Sequence, residues 1–352
     1  MGASYRVAVI AGDGIGKEVM PEGMKVMEAA AARFGLSFQW EEFDWSCERF
    51  QATGRMMPED GLARIRGHDA IYLGAVGYPG VPDHVSLWGL LIPIRREFNQ
   101  YANVRPVKLM PGVRSPLAGR TSDDIDMLIV RENTEGEYST AGGIRDEGTD
   151  DERAVQESVF SRKGVDRILR YAFEAAKRRR GHVSSATKSN GIAITMPYWD
   201  KRFAAIAGEY QDIKTAQYHI DILAAQFVRN PQYFDVVVGS NLFGDILSDL
   251  GPACAGTIAI APSANINPER EFPSMFEPVH GSAPDIFGRN IANPIGQIWS
   301  GAMMLEHLGH PDAAAAVVAA IERVLLEGPR NPDLGGTAST QQVGSAIAAA
   351  VQ

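Results

Sequence analysis

VVVGSNLFGDILSDLGP, residues 236–252, places a strand and a helix back to back. Residues 236–239 are a short apolar, β-branched run, the mark of a buried strand. A helical turn or two follows, in which Asp245 and Asp249 stand four apart and share a face. Gly251 and Pro252 then predict a stop. Such a junction aims two carboxylates from a rigid support, as a hard divalent cation requires. It equally suits two aspartates favoured by the helix dipole. Taken alone, the segment leaves both readings open.

The same alternation extends to either side. Residues 6–11 (RVAVIA) predict a buried strand running into Gly12-Asp13-Gly14-Ile15-Gly16. A helix follows at 16–34, with Val19, Met20, Val26, Met27 and Ala30 on its apolar side. The G-x-G-x-G spacing, with no acidic residue closing a second strand about 20 residues on, is not the dinucleotide fingerprint. A second strand is expected at 70–74 (AIYLG) and a loop at 77–82. In VSLWGLLIPIRREFNQ (85–100), Pro93 suits the first turn of a helix carrying Arg95 and Arg96. YANVRP (101–106) adds Arg105. IDMLIVR (125–131) predicts a strand ending in Arg131, followed by the loop ENTEGEYS with Tyr138. Singly, each of these arginines reads as a surface ion-pair member. As a set near element ends, Arg95, Arg105 and Arg131 offer planar forks for carboxylates.

Residues 140–153 are glycine-rich and acidic and read as an exposed arm. An amphipathic helix is expected at 164–180. HVSSATKSN (182–190) predicts a strand finishing on Lys188, a position that is ordinarily solvent-facing. Residues 218–228 read as a helix or a strand–helix junction, with Asp221 among apolar neighbours and in want of a cation or a hydrogen-bonding partner. MFEPVHGSAPDIFGRNIANP (275–294) is turn-rich and dense in small residues, so its backbone can approach a ligand closely. An alanine-rich helix is expected at 313–326, and Ser339 with Gln342 is spaced as a capping box. Alternating strands and helices imply an α/β fold with a largely parallel sheet.

A chain of 352 residues suits two domains. A formal net charge of −9 argues against nucleic acid or an anionic membrane as partner, so an anionic substrate needs a local arginine cluster. Cys47 and Cys254 are too few for a disulfide framework or a zinc site, which points to a reducing cytoplasm. No apolar run reaches the roughly 18 residues of a membrane span.

Together, GDGIGKEV, YANVRP, RENTEGEY, TKSN, SNLFGDILSDLG, EPVHGSAPDI and NIANP resemble the β-decarboxylating dehydrogenase family. That family contains isocitrate, 3-isopropylmalate and D-malate/tartrate dehydrogenases. The resemblance implies its two-domain α/β fold, with a mostly parallel sheet and no Rossmann domain. Residues 1–103 with 254–352 would form a larger, cofactor-binding domain. Residues 104–253 would form a smaller one with the dimer contact and the exposed arm. The resemblance also implies a homodimer with shared active sites.

Carried over residue by residue, Arg95, Arg105 and Arg131 match the substrate-carboxylate arginines. Asp245 and Asp249, with Asp221 from the neighbouring subunit, match the ligands of Mg²⁺ or Mn²⁺. Tyr138 and Lys188 match the acid–base pair, Lys188 also coming from the neighbour. Glu277, His280, Gly281, Ser282, Ala283, Asp285 and Asn293 match the loop that holds the adenosine half of the cofactor. The branch's resemblance further suggests help from a monovalent cation such as K⁺.

Cofactor and substrate choice follow from single positions. Asp285-Ile286 stands where NADP-using relatives carry a Lys-Tyr pair; a carboxylate there accepts from ribose hydroxyls and repels a 2′-phosphate, so NAD is expected. Isocitrate enzymes place a serine and an asparagine where this chain has Gly89 and Leu91, so an extra carboxymethyl group would lack polar partners. Leu91 and Ile92 keep the apolar pair of isopropylmalate enzymes, but Trp88 takes the place of their acidic residue and would shrink the pocket. SLWGLL followed by IRREFNQY resembles the D-malate/tartrate branch, although Pro93 stands where that branch carries a basic residue. The expected activity is NAD- and metal-dependent oxidative decarboxylation of a small 2-hydroxy dicarboxylic acid: D-malate to pyruvate and CO₂, or tartrate oxidation. A 3-isopropylmalate dehydrogenase is the alternative. A catalytically silent regulatory subunit is a third reading, opposed by the full set of Tyr138, Lys188, Asp221, Asp245 and Asp249.

Overall fold

In the computed structural model, which describes residues 2–352, the strands in chain order are Ser4–Gly12 (β1), Ser37–Glu42 (β2), Ala70–Ala75 (β3), Ala102–Lys108 (β4), Asp126–Glu132 (β5), Gly142–Arg145 (β6), Arg153–Gln156 (β7), His182–Thr187 (β8), Lys214–His219 (β9), Val236–Gly239 (β10), Pro262–Ile266 (β11) and Ser274–Pro278 (β12). Ten of them form one sheet, ordered β2-β1-β3-β12-β11-β4-β5-β10-β8-β9. Both wings are parallel, as expected for strands joined through helices. The centre is not. β11 runs antiparallel to both β12 and β4, and β4 antiparallel to β5. This central reversal lets residues 267–273 connect β11 to β12 without a crossover helix.

Successive side chains of a strand point to opposite faces, so a strand covered on both sides must be apolar throughout. β1 behaves this way: Val7 and Val9 join one core with Met20, Val26 and Met27 of the Gly16–Phe34 helix, while Ala8 and Ile10 join another with Trp45, Ile71 and Leu73. β10 does the same, with Val236 and Val238 in the first core and Val237 in a third with Ile129, Leu247 and Phe243. The expected arm is the exposed β6–β7 ribbon, and the Ser339–Gln342 capping box is present. Among the described residues no helix is long and apolar enough to cross a membrane.

Of two expectations about prolines, one fails. The helix after β10 does not stop at Gly251-Pro252 but runs Asn241–Ala255 and ends at Gly256, whose φ is +123°. Gly251 serves packing instead, because a Cβ there would lie 2.7 Å from Val107 Cγ2. Burial of this helix face outweighs the loss of the one hydrogen bond that Pro252 cannot donate. Pro93 meets its expectation: it lies in the first turn of the Ile92–Glu97 helix, which carries Arg95 and Arg96. Residues 83–97 are helical throughout, with a wider turn at Leu87–Leu91 in which the Ile92 N–H donates to the Leu87 carbonyl. A proline that supplies no N–H fits directly after such a turn.

Candidate active site

The site grows from the antiparallel pair at the sheet centre. Asn103 faces Arg131 across β4 and β5, and Arg105 lies two residues on from Asn103, so all three project from the same face. β10 borders β5 and delivers the Asn241–Ala255 helix across Arg131. The approach is close: a Cβ on Gly244 would lie 2.5 Å from Arg131 Cβ. Asp245 and Asp249 follow on that face.

These residues form one hydrogen-bonded cluster. Arg131 Nη1 pairs with Asp245 Oδ1, while Arg131 Nε and Nη2 donate to Asn241 Oδ1 at 3.1 and 2.7 Å. Tyr138 Oη donates to Asp245 Oδ2 at 2.6 Å. Arg105 Nη1 donates to Asp249 Oδ1 at 3.2 Å, and its Nη2 lies 3.8 Å from Asp245. Burial pushes Arg131 down to about 10 despite the neighbouring Asp245, and lowers Arg105 likewise. Burial and then the bond to Asp245 push the Tyr138 phenol up to about 12, so it keeps its proton at neutral pH. For Asp245, the penalty of burial is overcome by Arg131 and the Tyr138 hydrogen bond, which hold its carboxyl low. Burial raises Asp249 against the pull of Arg105.

Lys188 and Asp221 stand apart. Lys188 follows β8 and Asp221 opens the Ile220–Arg229 helix after β9, with Thr187 and His219 paired across those strands. Lys188 Nζ donates to Asp221 Oδ1 at 2.8 Å, and this bond lowers the Asp221 carboxyl. Asp221 is exposed, and Lys188 is the hydrogen-bonding partner that its setting among apolar residues called for. Among the described residues no three His, Cys, Asp or Glu side chains gather into a metal-sized group. A single chain therefore does not bring Asp221 to Asp245 and Asp249.

Trp88 does not simply line a pocket. Arg96 lies over its indole at 4.9 Å, and Arg96 Nη2 donates to the Tyr138 carbonyl at 2.8 Å. Leu91 is half-buried against a core that contains Leu90 and Ile94. Arg95 is buried and donates to Glu277 Oε1 at 2.8 Å. Glu277 thus sits near the end of β12, paired with Arg95, just before the loop that follows Pro278.

The remaining loop residues lie on the segment that follows β12. Ser282 O accepts from the Ile15 N–H at 2.9 Å, and a Cβ on Gly14, whose φ is +51°, would meet that oxygen at 2.1 Å. His280 Nδ1 lies 3.0 Å from Gly281 O, its Nε2 is buried without a partner, and burial lowers its imidazole. Ala283 is left-handed at φ +39°, Asp285 is exposed, and Asn293 donates to Asp333 at 3.0 Å. An unmet imidazole nitrogen, with an exposed carboxylate five residues on, fits a nucleoside with hydroxyl groups.

Sequence reasoning passed over Asn103, Asn241 and Asp13. Asn103 was findable as the residue two before Arg105, on the same strand face. Asp13 reads in sequence as part of a turn. In the fold its carboxylate accepts from Cys47 N at 3.0 Å and Gly77 N at 3.1 Å, which ties the turn to two other segments.

Residues 6–347 match the family described as isocitrate/isopropylmalate dehydrogenase. The chain belongs to this family. Among its relatives, a tartrate dehydrogenase/decarboxylase of Pseudomonas putida is 62% identical over 98% of this chain and 97% of that protein. A decarboxylating D-malate dehydrogenase of Escherichia coli (strain K12) is 61% identical over 98% of each. The crystal structure of an isocitrate dehydrogenase from Methylococcus capsulatus superposes with a TM-score of 0.88 at 36% identity, covering 99% of both chains. The motif resemblance and the fold drawn from it are thereby borne out. In this isocitrate/isopropylmalate dehydrogenase family member, Asp245 and Asp249 fit two of the oxygen ligands of a divalent ion: they lie one helical turn apart and differ in exposure.

Proposed function

We propose that this chain is an NAD- and Mg²⁺- or Mn²⁺-dependent enzyme that oxidatively decarboxylates a four-carbon 2-hydroxy dicarboxylate, D-malate or tartrate. The observation that carries the reading is the meeting of Arg105, Arg131, Tyr138, Asp245 and Asp249 in one half-buried cluster. The names of the two relatives above 60% identity supply the substrate class.

In this reading Arg95, Arg105 and Arg131 bind the two substrate carboxylates, and bidentate forks fix their orientation. A bound divalent ion supplies Lewis acidity and NAD supplies the hydride acceptor. Asp245, Asp249 and the neighbouring subunit's copy of Asp221 hold the ion; His280, Asp285 and Asn293 hold the nucleoside end of NAD, and Glu277 lies nearer the substrate. Lys188, neutral when the bound cation nearby disfavours its charge, would take the hydroxyl proton through a water. Tyr138 keeps its own proton and delivers it to the carbon that loses CO₂. Trp88 and Leu91 narrow the space beyond C3, which bears only H in malate or OH in tartrate.

The assembly is a homodimer. Ile222 and Val228 on the Ile220–Arg229 helix and Leu242 and Ile246 on the Asn241–Ala255 helix are exposed, and the two helices pack together. Pairing this apolar surface with its copy would carry Lys188 and Asp221 toward the partner's Asp245. Residues 104–253 then form the dimerising domain, and 1–103 with 254–352 form the cofactor domain. Free, buried Cys47 and Cys254 suit the cytoplasm.

Turnover on D-malate, L-tartrate and 3-isopropylmalate, with NAD and NADP and with each divalent ion, with and without K⁺, tests the reading. D-malate or tartrate with NAD is expected to lead, and exhaustive chelation to abolish activity. A preference for 3-isopropylmalate or for NADP overturns the corresponding assignment.

A further inference from the structure

Polar side chains cross the middle of the sheet between its apolar cores, where folding alone gives no reason for them. β4, β11 and β12 are consecutive neighbours, and Asn103 lies directly opposite Asn265. Both asparagines are fully buried, and Glu277 is buried beside them. Arg105 Nε donates to Asn103 Oδ1 at 3.1 Å. Asn103 Nδ2 donates to Asn265 Oδ1 at 2.9 Å. Asn265 Nδ2 donates to Glu277 Oε1 at 2.7 Å, and Arg95 Nη2 donates to that same oxygen at 2.8 Å. Asn133 Nδ2, two residues after Arg131, also donates to Asn265 Oδ1 at 2.9 Å.

The sense of this relay is forced. A guanidinium only donates and a carboxylate only accepts. With those ends given, turning either amide over would set donor against donor at Arg105 or oxygen against oxygen at Glu277. Both guanidiniums are therefore held by one hydrogen-bonded line, although Arg95 comes from a helix and Arg105 from a strand. A leucine at position 265 would fill a similar volume without the desolvation cost of a buried amide.

We infer that Asn265 is a positioning residue: through Asn103 and Glu277 it fixes Arg105 relative to Arg95, and so sets the affinity for a dicarboxylate. The inference rests on the substrate role proposed for those two arginines. It is tested by D-malate kinetics on Asn265→Leu, Arg105→Lys and the double variant, with thermal melting as the check on folding. Asn265→Leu is expected to raise KM roughly 10- to 100-fold, the scale of a lost hydrogen bond to a charged group, with kcat changed less than about threefold. In the Arg105→Lys background the same change should move KM less than about threefold, since no fork remains to orient. A folded Asn265→Leu with KM within about twofold of the parent, or with an equal effect in both backgrounds, overturns the inference. If Asn265→Leu does not fold, Asn265→Ser is judged by the same criteria. If Arg105→Lys itself leaves KM unchanged, the substrate reading has failed and the relay's role with it. If Arg105→Lys raises KM and Asn265→Leu does not, the relay alone is refuted.

Discussion

The arginine–carboxylate cluster and the Lys188–Asp221 pair contain the same chemistry in opposite settings. In the first, Arg131 is only 2% exposed and each partner is placed by a neighbouring strand or by the helix lying across it. In the second, the Asp221 side chain is 60% exposed and its ionic partner is the lysine. A buried ion pair is built by its fold and strongly destabilising to break, whereas an exposed one contributes little by itself. In the proposed dimer, the arginine–carboxylate contacts form within one chain and the Lys188–Asp221 pair joins them from the other.

The largest expected effect tests that difference directly. Tyr138→Phe and Lys188→Met should each lower turnover by roughly 10²–10⁴-fold, the usual scale for losing a general acid or base. If Lys188 serves the other subunit, mixing the two inactive variants and letting subunits exchange should restore about a quarter of parental activity. Half the dimers would be mixed, each with one intact site. No recovery after verified exchange would mean that each chain works alone.

Next in size is the apolar surface. Ile246→Glu places a charge on the exposed face that Ile222 and Leu242 share. Sedimentation should show a monomer, and turnover should fall at least tenfold while the far-ultraviolet circular dichroism is unchanged. A fully active monomer would erase the distinction between the two groups.

Stability separates them as well. In chelated buffer, Asp245→Asn leaves Arg131 and Arg105 without their shared carboxylate and should destabilise by roughly 1–3 kcal/mol, with a lower Tm. Asp221→Asn should leave Tm within about a degree of the parent, as exposed pairs do. Equal losses would contradict the burial argument.

The smallest effect sharpens the picture of Tyr138. Arg96 is exposed and touches that loop through one backbone hydrogen bond. Arg96→Gln should slow turnover about two- to tenfold without changing Tm, as expected for losing a single positioning bond.

Local signals were readable wherever they involved neighbours along the chain. The Gly16–Phe34 helix, the capping box at Ser339 and the strand carrying Arg131 came from periodicity and spacing. The stop at Pro252 was misread, because tertiary burial overrode the usual rule for proline. Asp221 does find the hydrogen-bonding partner its setting called for, but that partner, Lys188, lies 33 positions away where no local spacing announces it.

By itself the sequence determined which elements form, which side chains carry charge and which family the motifs belong to. These depend on residue type and on separations of a few positions. Only the tertiary structure decided that Asn103, Asn265, Glu277 and Arg95 form one line, that Asn241 grips Arg131, and that Asp221 stays away from Asp245. Those outcomes depend on strand order and register, and register is set by packing between segments more than a hundred residues apart.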